Sequence, residues 1–310
     1  MRIDKLLAAE GPVFSFEFFP PRTPEGVETL FETVEALKPL GPSFVSVTYG
    51  AGGATREGTV EVATRIRREH GLEAMAHLSC VGETTQGLVE ILDQLRDEGI
   101  ENILALRGDP PRGETEFRRP EGGLDCAADL AAFISERYDF AIGGACFPEV
   151  HPEAPSLEAD LAYLGTKVTS GASFLITQLF FDNRAYFEFV RAARATGIGV
   201  PIIPGVIPIT SYAQIVRFCE LCAASIPQPL AAAMEALEGN EVAEAELGTA
   251  YAARQCEELL AGGAPGIHFY TLNRASATRA VLGALQVARP WERATVSPPS
   301  EPAPAPVGLE

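Results

Sequence analysis

The stretch FSFEFFPPR (residues 14–22) places one carboxylate among four phenylalanines and then stops at two prolines. Side chains alternate along a strand, so Phe14, Phe16 and Phe18 share one face while Ser15 and Glu17 share the other. The phenylalanines suit the apolar layer between a barrel and its surrounding helices, which leaves Glu17 pointing into the barrel. A charge in such an apolar run is costly unless a partner or a ligand uses it.

Strand-like and helix-like segments alternate around this stretch along most of the chain. We expect strands at residues 13–18, 44–49, 73–78, 102–106, 140–145, 174–179, 201–206 and 266–271. Helix-like segments between them include residues 25–37, 55–69, 84–98, 156–170 and 211–222. Eight parallel strands with helical crossovers predict an α/β fold, a (β/α)8 TIM barrel. A doubly wound sheet is the alternative, but its glycine fingerprint is missing after the first strand.

The barrel is expected to be a single domain, residues 1–289. The connection between its seventh and eighth strands has room for an extra helical segment at residues 229–237, ahead of a helix at 241–260. From residue 290 to residue 310 the sequence is rich in proline and lacks periodicity. This composition predicts a disordered tail.

Composition restricts the classes of partner. The 310 residues carry a formal net charge of −18, which argues against nucleic acid or an anionic membrane as the main partner. No apolar segment has the length of a membrane span or signal peptide, and six scattered cysteines suggest reduced thiols, so we expect a cytoplasmic protein. Cys219 and Cys222 have zinc-like spacing without a second such pair, so we interpret them as apolar helix residues and expect no metal site.

Polar side chains follow nearly every predicted strand, where a barrel of this kind carries its catalytic groups. They are Glu17, Thr48, His77, Arg107, Asp109, Glu149, His151, Gln178, Asn273 and Arg274. In apolar surroundings the pKa of Glu17 would rise, and a protonated carboxyl could act as a general acid. The alternative is a buried glutamate paired for structural reasons, and position alone does not decide between the two.

Seven of these strand ends together resemble, in order, the motifs of methylenetetrahydrofolate reductases. The motifs are FSFEFFPPR, FVSVTYGA, AHLSC, LALRGDPP, FPEVHPEA, ITQLFFD and HFYTLNRA, and the resemblance runs from about residue 13 to residue 285. It implies a TIM barrel that holds FAD and reduces 5,10-methylenetetrahydrofolate to 5-methyltetrahydrofolate with NADH or NADPH. The implied scheme is ping-pong, in a homo-oligomer whose partners are small molecules.

The resemblance also implies site residues. Glu17 would be the proton donor to N10 of the folate, and Asp109 an acidic residue that stabilises the cationic folate intermediate. The FAD-binding residues would be Thr48, Tyr49, Ala51, His77, Arg107, Gly108, Asp109, Ala127, Phe147, His151, Ala154, Asp160 and Lys167. The folate-binding residues would be Gln178, Gln214, Phe218 and Arg274. Arg107, His151 and Lys167 would supply local positive charge for a pyrophosphate in this acidic chain.

Some positions depart from the family pattern near the expected adenosine site, namely Cys126, Phe147, Tyr163 and Thr166. They affect the expected pose of FAD rather than the chemistry. Two other functions stay open at this point: a lyase or aldolase without flavin that uses Glu17 as a base, and a barrel that binds a ligand without turnover. No predicted strand end carries a lysine, which argues against Schiff-base chemistry.

Overall fold

The fold is built around one parallel sheet. The computed structural model describes residues 1–49, 56–108, 117 and 119–293. Within them, the strands β1 to β9 are Val13–Phe18, Phe44–Val47, Ala74–Ser79, Asn102–Leu106, Ala141–Cys146, Ala172–Thr177, Ile202–Ile203, Gly205–Val206 and Gly266–Tyr270. Each of the eight predicted strands is present, with ends that differ from the prediction by at most two residues, apart from the break within the seventh.

The sheet closes into a barrel through its seventh strand, which is divided into β7 and β8. The strand order is β7-β6-β5-β4-β3-β2-β1-β9-β8, and all pairings are parallel. Pro204 separates β7 from β8 and has no N–H group to donate, but its carbonyl accepts a hydrogen bond from His268 N at 2.9 Å. The two halves therefore join β6 to β9, and the predicted (β/α)8 TIM barrel is confirmed.

Helices surround the barrel. Numbered α1 to α11, those of the described residues are Ile3–Leu7, Pro24–Leu37, Arg56–His70, Thr85–Asp97, Ala127–Ser135, Leu157–Thr169, Asn183–Ala195, Tyr212–Cys222, Gln228–Glu235, Glu241–Ala261 and Ser276–Ala288. The extra helical segment between the seventh and eighth barrel strands is α9, as predicted. Cys219 and Cys222 both lie on α8, packed in an apolar cluster, as the sequence indicated.

The faces of β1 are divided as the alternation predicts. Phe14, Phe16 and Phe18 are buried in the cluster that also contains Leu30 and Val34 of α2. Ser15 and Glu17 face the barrel interior, where both contact His268. The opening stretch thus supplies both the outer apolar layer and the polar interior of the barrel.

The far end of the barrel is closed by α1, which the sequence analysis did not predict. Ile3 is fully buried among Val13, Phe44 and Met75, and its N–H donates to Asn102 Oδ1 at 2.8 Å. A helix of five residues is too short to show hydrophobic periodicity. It closes this end of the barrel through contacts with residues that are distant in sequence.

The end of the described chain packs back on the barrel. Residues Pro290–Arg293 form a 3-10 helix, and the ring of Trp291 meets Phe14 edge-on at 5.7 Å. The tail predicted from residue 290 otherwise lies outside the described residues, and its disorder stays a prediction. None of the helices in the described ranges is long and apolar enough to cross a membrane.

Candidate active site

Glu17 lies at the centre of a polar cluster in the barrel mouth. Its Oε2 atom is 3.3 Å from Nε2 of His268 and 3.4 Å from Nε2 of His77. The Glu17 side chain keeps 19% exposure, while those of His77 and His268 keep 6% and 0%. The carboxyl is therefore the most accessible of the three groups, which suits a group that meets a ligand.

The ionisation of Glu17 differs from the sequence-based expectation. Burial alone would raise its pKa, but the hydrogen bond from His268 and the positive charge that His77 and His268 carry when protonated outweigh burial and lower the pKa. The expected raised pKa is thus wrong, because two imidazoles lie next to the carboxyl. Burial lowers the pKa of His77 to about 4, so its ring is neutral at pH 7.

His268 is a site residue to which the sequence analysis gave no role. Its Nδ1 atom lies 2.7 Å from Ser15 Oγ, so one imidazole joins Ser15 to Glu17. The register of β1 and β9 pairs Ser15 with His268 and Glu17 with Tyr270. The signal was available: in a closed barrel the last strand lies beside the first, and His268 occupies an inward position of that strand.

The loop after β9 is tied to the end of β1. Thr271 Oγ1 donates to Glu17 O at 2.6 Å. The Asn273 side chain accepts from Phe19 N at 3.0 Å and donates to Phe19 O at 2.9 Å. Leu272 and Asn273 both adopt left-handed backbone conformations, with φ of 50° and 56°. These bonds fix the loop that carries Arg274 relative to Glu17.

A second group of polar residues lies at the ends of β4 and β5 and on α6. Arg107 forms an ion pair with Glu153 at 2.5 Å, and Lys167 Nζ donates to Ala145 O at 2.8 Å. Asp160 accepts from His151 N at 3.0 Å, and it shares with Lys167 the buried face of α6. The residues expected to surround a pyrophosphate are thus brought together.

The charge of this second group is smaller than expected. Burial lowers the pKa of His151, so that its ring contributes less positive charge there than the resemblance implies. His151 Nδ1 instead accepts a hydrogen bond from Glu153 N at 3.1 Å. Burial also lowers the pKa of Lys167. Glu153, which the sequence analysis overlooked, partly neutralises Arg107.

The other described residues expected to hold FAD follow β2, β4 and β5. Tyr49 donates to Glu83 Oε1 at 2.7 Å, Thr48 O accepts from Thr59 Oγ1 at 2.9 Å, and Phe147 meets His151 edge-on at 4.5 Å. Ala127 begins α5, and Ala154 N donates to His151 O at 2.8 Å. Ala51 and Asp109 lie outside the described residues.

Gly108 is required by the backbone at the end of β4. Its φ is 88°, and a Cβ atom built there would lie 2.1 Å from Ser79 Oγ. Any other residue would therefore be strained and would displace Ser79. Gly108 holds the chain close to β3, where Ser79 Oγ donates to Arg107 O at 2.9 Å.

The residues expected to bind folate stand on three elements. Gln178 follows β6, and its side-chain Oε1 atom accepts a hydrogen bond from the N–H of the next residue, Leu179, at 2.8 Å. Gln214 and Phe218 are four residues apart on α8, so they share a face of that helix and both are half-buried. Arg274 is exposed and makes no ion pair within residues 1–49, 56–108 and 119–293.

Sequence comparisons with known proteins point to one family. A family model described as methylenetetrahydrofolate reductase matches residues 2–286. Methylenetetrahydrofolate reductase (NADH) 1 of Arabidopsis thaliana is 42% identical over 271 residues, covering 84% of this chain and 46% of the plant protein. The 5,10-methylenetetrahydrofolate reductase of Escherichia coli is 40% identical over 273 residues, covering 88% of this chain and 90% of that protein.

The chain spans about half the length of the plant relatives that it matches. Among solved structures, a protein from Clostridium thermocellum that binds two copies of 5-methyl-5,6,7,8-tetrahydrofolic acid superposes with a TM-score of 0.63. It covers 93% of this chain and 98% of its own at 16% identity, which shows a common fold alone. With a family match over almost the whole barrel, the chain belongs to the methylenetetrahydrofolate reductase family.

Proposed function

We propose that this protein reduces 5,10-methylenetetrahydrofolate to 5-methyltetrahydrofolate in a ping-pong reaction, with FAD as cofactor and NADH or NADPH as electron donor. Family membership supports the reduction of methylenetetrahydrofolate, and the name of the plant relatives, which contains NADH, supports a nucleotide electron donor. The single observation that carries the proposal is the accessible Glu17 carboxyl, in contact with His77 and His268 in the mouth of the barrel.

The residues of the site fit FAD. His77 Nε2 is buried, lies 3.4 Å from Glu17 Oε2 and makes no hydrogen bond with any described residue, so a hydrogen-bonding group of a ligand would satisfy it. Arg107 and Lys167 would supply donors for a pyrophosphate, while Thr48 and Tyr49 follow β2 and Phe147 follows β5. When bound, FAD supplies the hydride transfer between nicotinamide and folate.

Glu17 would deliver a proton to N10 of the folate, which opens the five-membered ring and leaves a cationic carbon–nitrogen double bond at N5. In the open site the pKa of Glu17 is lowered, so the carboxyl must gain a proton when the ligand arrives. A folate that covers Glu17 removes its remaining solvent contact, and burial raises the pKa of a carboxyl. His268, which lies within hydrogen-bond reach of both Ser15 and Glu17, would hold the carboxyl in place, and the proton would enter at the exposed side of Glu17.

Gln178, Gln214, Phe218 and Arg274 would bind and orient the folate. Arg274 is the exposed cation at the rim, suited to a carboxylate of the substrate, and Phe218 offers a flat apolar surface. Asp109 would stabilise the cationic folate intermediate by its negative charge, as the family resemblance implies.

The purified protein, reconstituted with FAD, tests this function. We expect a flavin absorption band that bleaches under anaerobic conditions on addition of NADH or NADPH and returns on addition of 5,10-methylenetetrahydrofolate. Initial rates at several folate concentrations should give parallel double-reciprocal lines. A protein that binds no FAD, or whose reduced flavin is not reoxidised by the folate, would exclude the proposal.

A further inference from the structure

Glu149 joins two parts of the site that are far apart in sequence. It lies in the loop of residues 147–154 that follows β5, here named the flavin-side loop because it carries Phe147 and His151. Both oxygens of Glu149 accept the N–H of Ser225, at 3.2 and 3.1 Å, and Ser225 Oγ donates to Glu149 Oε1. The contact spans 76 residues of sequence.

Ser225 comes just after α8, the helix that carries Gln214 and Phe218. The helix ends at Cys222; the next residue, Ala223, adopts a left-handed conformation with φ of 55°, and Ala224 N donates back to Cys219 O at 3.2 Å. The Glu149 contact therefore holds the carboxyl end of α8 at the point where the chain leaves the helix.

The opposite end of α8 is held by a different residue. Tyr212 N donates to Oε2 of the buried Glu244 at 2.9 Å, and Glu244 belongs to α10. This bond fixes α8 to another outer helix. The Glu149 bond instead fixes α8 to a loop that follows a barrel strand and carries residues expected to contact FAD.

The backbone of the flavin-side loop is shaped for this contact. Val150 has a φ of 71°, a left-handed conformation that β-branched residues rarely adopt, and its N–H donates to Phe147 O at 3.2 Å. The turn lies between Glu149, which bonds Ser225, and His151, which bonds Asp160 through its N–H. Burial also raises the pKa of Glu149, as expected for a carboxyl partly withdrawn from water.

We propose that Glu149 is a positioning residue: through Ser225 it sets the place of α8, and thus of Gln214 and Phe218, relative to the flavin-side loop. The proposal rests on the proposed function for the identity of the two ligands. Glu149 touches neither of them. Its effect is on how well the folate-binding face of α8 is pre-organised before the folate enters.

Steady-state and half-reaction kinetics of Glu149→Ala test the proposal in the FAD-loaded protein. We expect the KM for 5,10-methylenetetrahydrofolate to rise about tenfold, because a bond to a charged group is lost and α8 must be ordered by the substrate. Bound FAD and the maximal rate of flavin reduction at saturating NADH should not change. Glu149→Gln keeps an acceptor for the Ser225 N–H and should restore the KM to within about threefold of wild type.

The matched control is Glu220→Ala, which removes an exposed carboxylate from α8 itself and should leave the KM unchanged. A wild-type KM in Glu149→Ala would overturn the proposal. So would an equal loss in both half-reactions, which indicates general unfolding, or a Glu149→Gln variant as impaired as Glu149→Ala.

Amide hydrogen exchange of the flavin-free protein separates this proposal from the proposed function. Residues 212–225 should exchange about tenfold faster in Glu149→Ala than in wild type or in Glu220→Ala, while α2 is unchanged. Unchanged exchange in residues 212–225 would overturn the proposal. If wild type reduces no folate, the proposed function fails, and exchange alone then decides whether Glu149 holds α8.

Discussion

At the scale of single residues, Glu17 has two imidazole neighbours that act differently. His77 is neutral at pH 7, because burial lowers its pKa to about 4, and its Nε2 atom has no hydrogen-bond partner among the described residues. His268 is joined to Ser15 and lies within reach of Glu17. His77 therefore keeps an unsatisfied atom that a ligand would bond, while His268 is held between Ser15 and Glu17.

The buried His77 should make the protein less stable in acid. Its pKa is lowered in the folded chain, so the unfolded chain binds more protons between pH 6.5 and 4, and stability falls as pH falls through this window. Between pH 7 and pH 5 the expected loss is about 2 kcal/mol from this group. Urea unfolding of the flavin-free protein at pH 7 and pH 5 measures this loss. In His77→Gln, the fall in the free energy of unfolding between the two pH values should be smaller than in wild type by that amount. An equal change of unfolding free energy with pH in wild type and His77→Gln would contradict the lowered pKa of His77.

Glu153 should compete with the pyrophosphate of FAD for Arg107. The two side chains are partly exposed, at 26% for Arg107 and 61% for Glu153, so their ion pair is weak. We expect Glu153→Gln to bind FAD about threefold more tightly than wild type, measured by quenching of flavin fluorescence. Glu188→Gln, which changes an exposed carboxylate on α7, is the control and should bind like wild type. Weaker binding by Glu153→Gln would show that Glu153 supports the site.

At the scale of elements, the loop after β9 holds the end of β1 through the Asn273 side chain. Asn273→Gly keeps the left-handed backbone but removes both bonds to Phe19. We expect a loss of about 2 kcal/mol in the free energy of unfolding, because two hydrogen bonds are lost. The KM for folate should also rise severalfold, since the neighbouring Arg274 is less fixed. A variant with wild-type stability and KM would show that the bonds to Phe19 do not position this loop.

The elements also show what the sequence could and could not predict. Alternation along β1 correctly assigned Glu17 to the interior of the barrel. Successive side chains of a strand point to opposite faces, and the phenylalanines had to occupy the face that packs on the helices. The pKa of Glu17 could not be predicted from β1 alone. It depends on His77 and His268, which reach it only once the barrel closes. The same holds for Glu153 and for the Glu149 contact with Ser225, since local sequence carries no signal for pairings across many residues.

At the scale of the whole molecule, the barrel is open at the site and closed at its other end. Ile3 of α1 fills the closed end, and the N–H group of Ile3 is satisfied by Asn102. The proposed ligand-binding face and the stabilising face thus lie at opposite ends of the strands, as in other barrels of this type.

Because the two ends are separate, we expect that the packing of α1 can be destabilised without loss of flavin reduction. Ile3→Ala should lower the free energy of unfolding by about 3 kcal/mol, because it leaves a cavity in a fully buried cluster. The flavin spectrum and the rate of flavin reduction should not change. Lys5→Ala, on the exposed side of α1, is the control and should change stability by less than about 0.5 kcal/mol. A change in the flavin spectrum of Ile3→Ala would show that the two ends are coupled.

The most direct test of the account is the rate of each half-reaction in Glu17→Gln, followed by flavin absorbance under anaerobic conditions. Reduction by NADH should stay within about twofold of wild type, whereas reoxidation by 5,10-methylenetetrahydrofolate should slow by at least about 100-fold, because glutamine cannot donate the proton. Reoxidation at the wild-type rate would contradict the role assigned to Glu17.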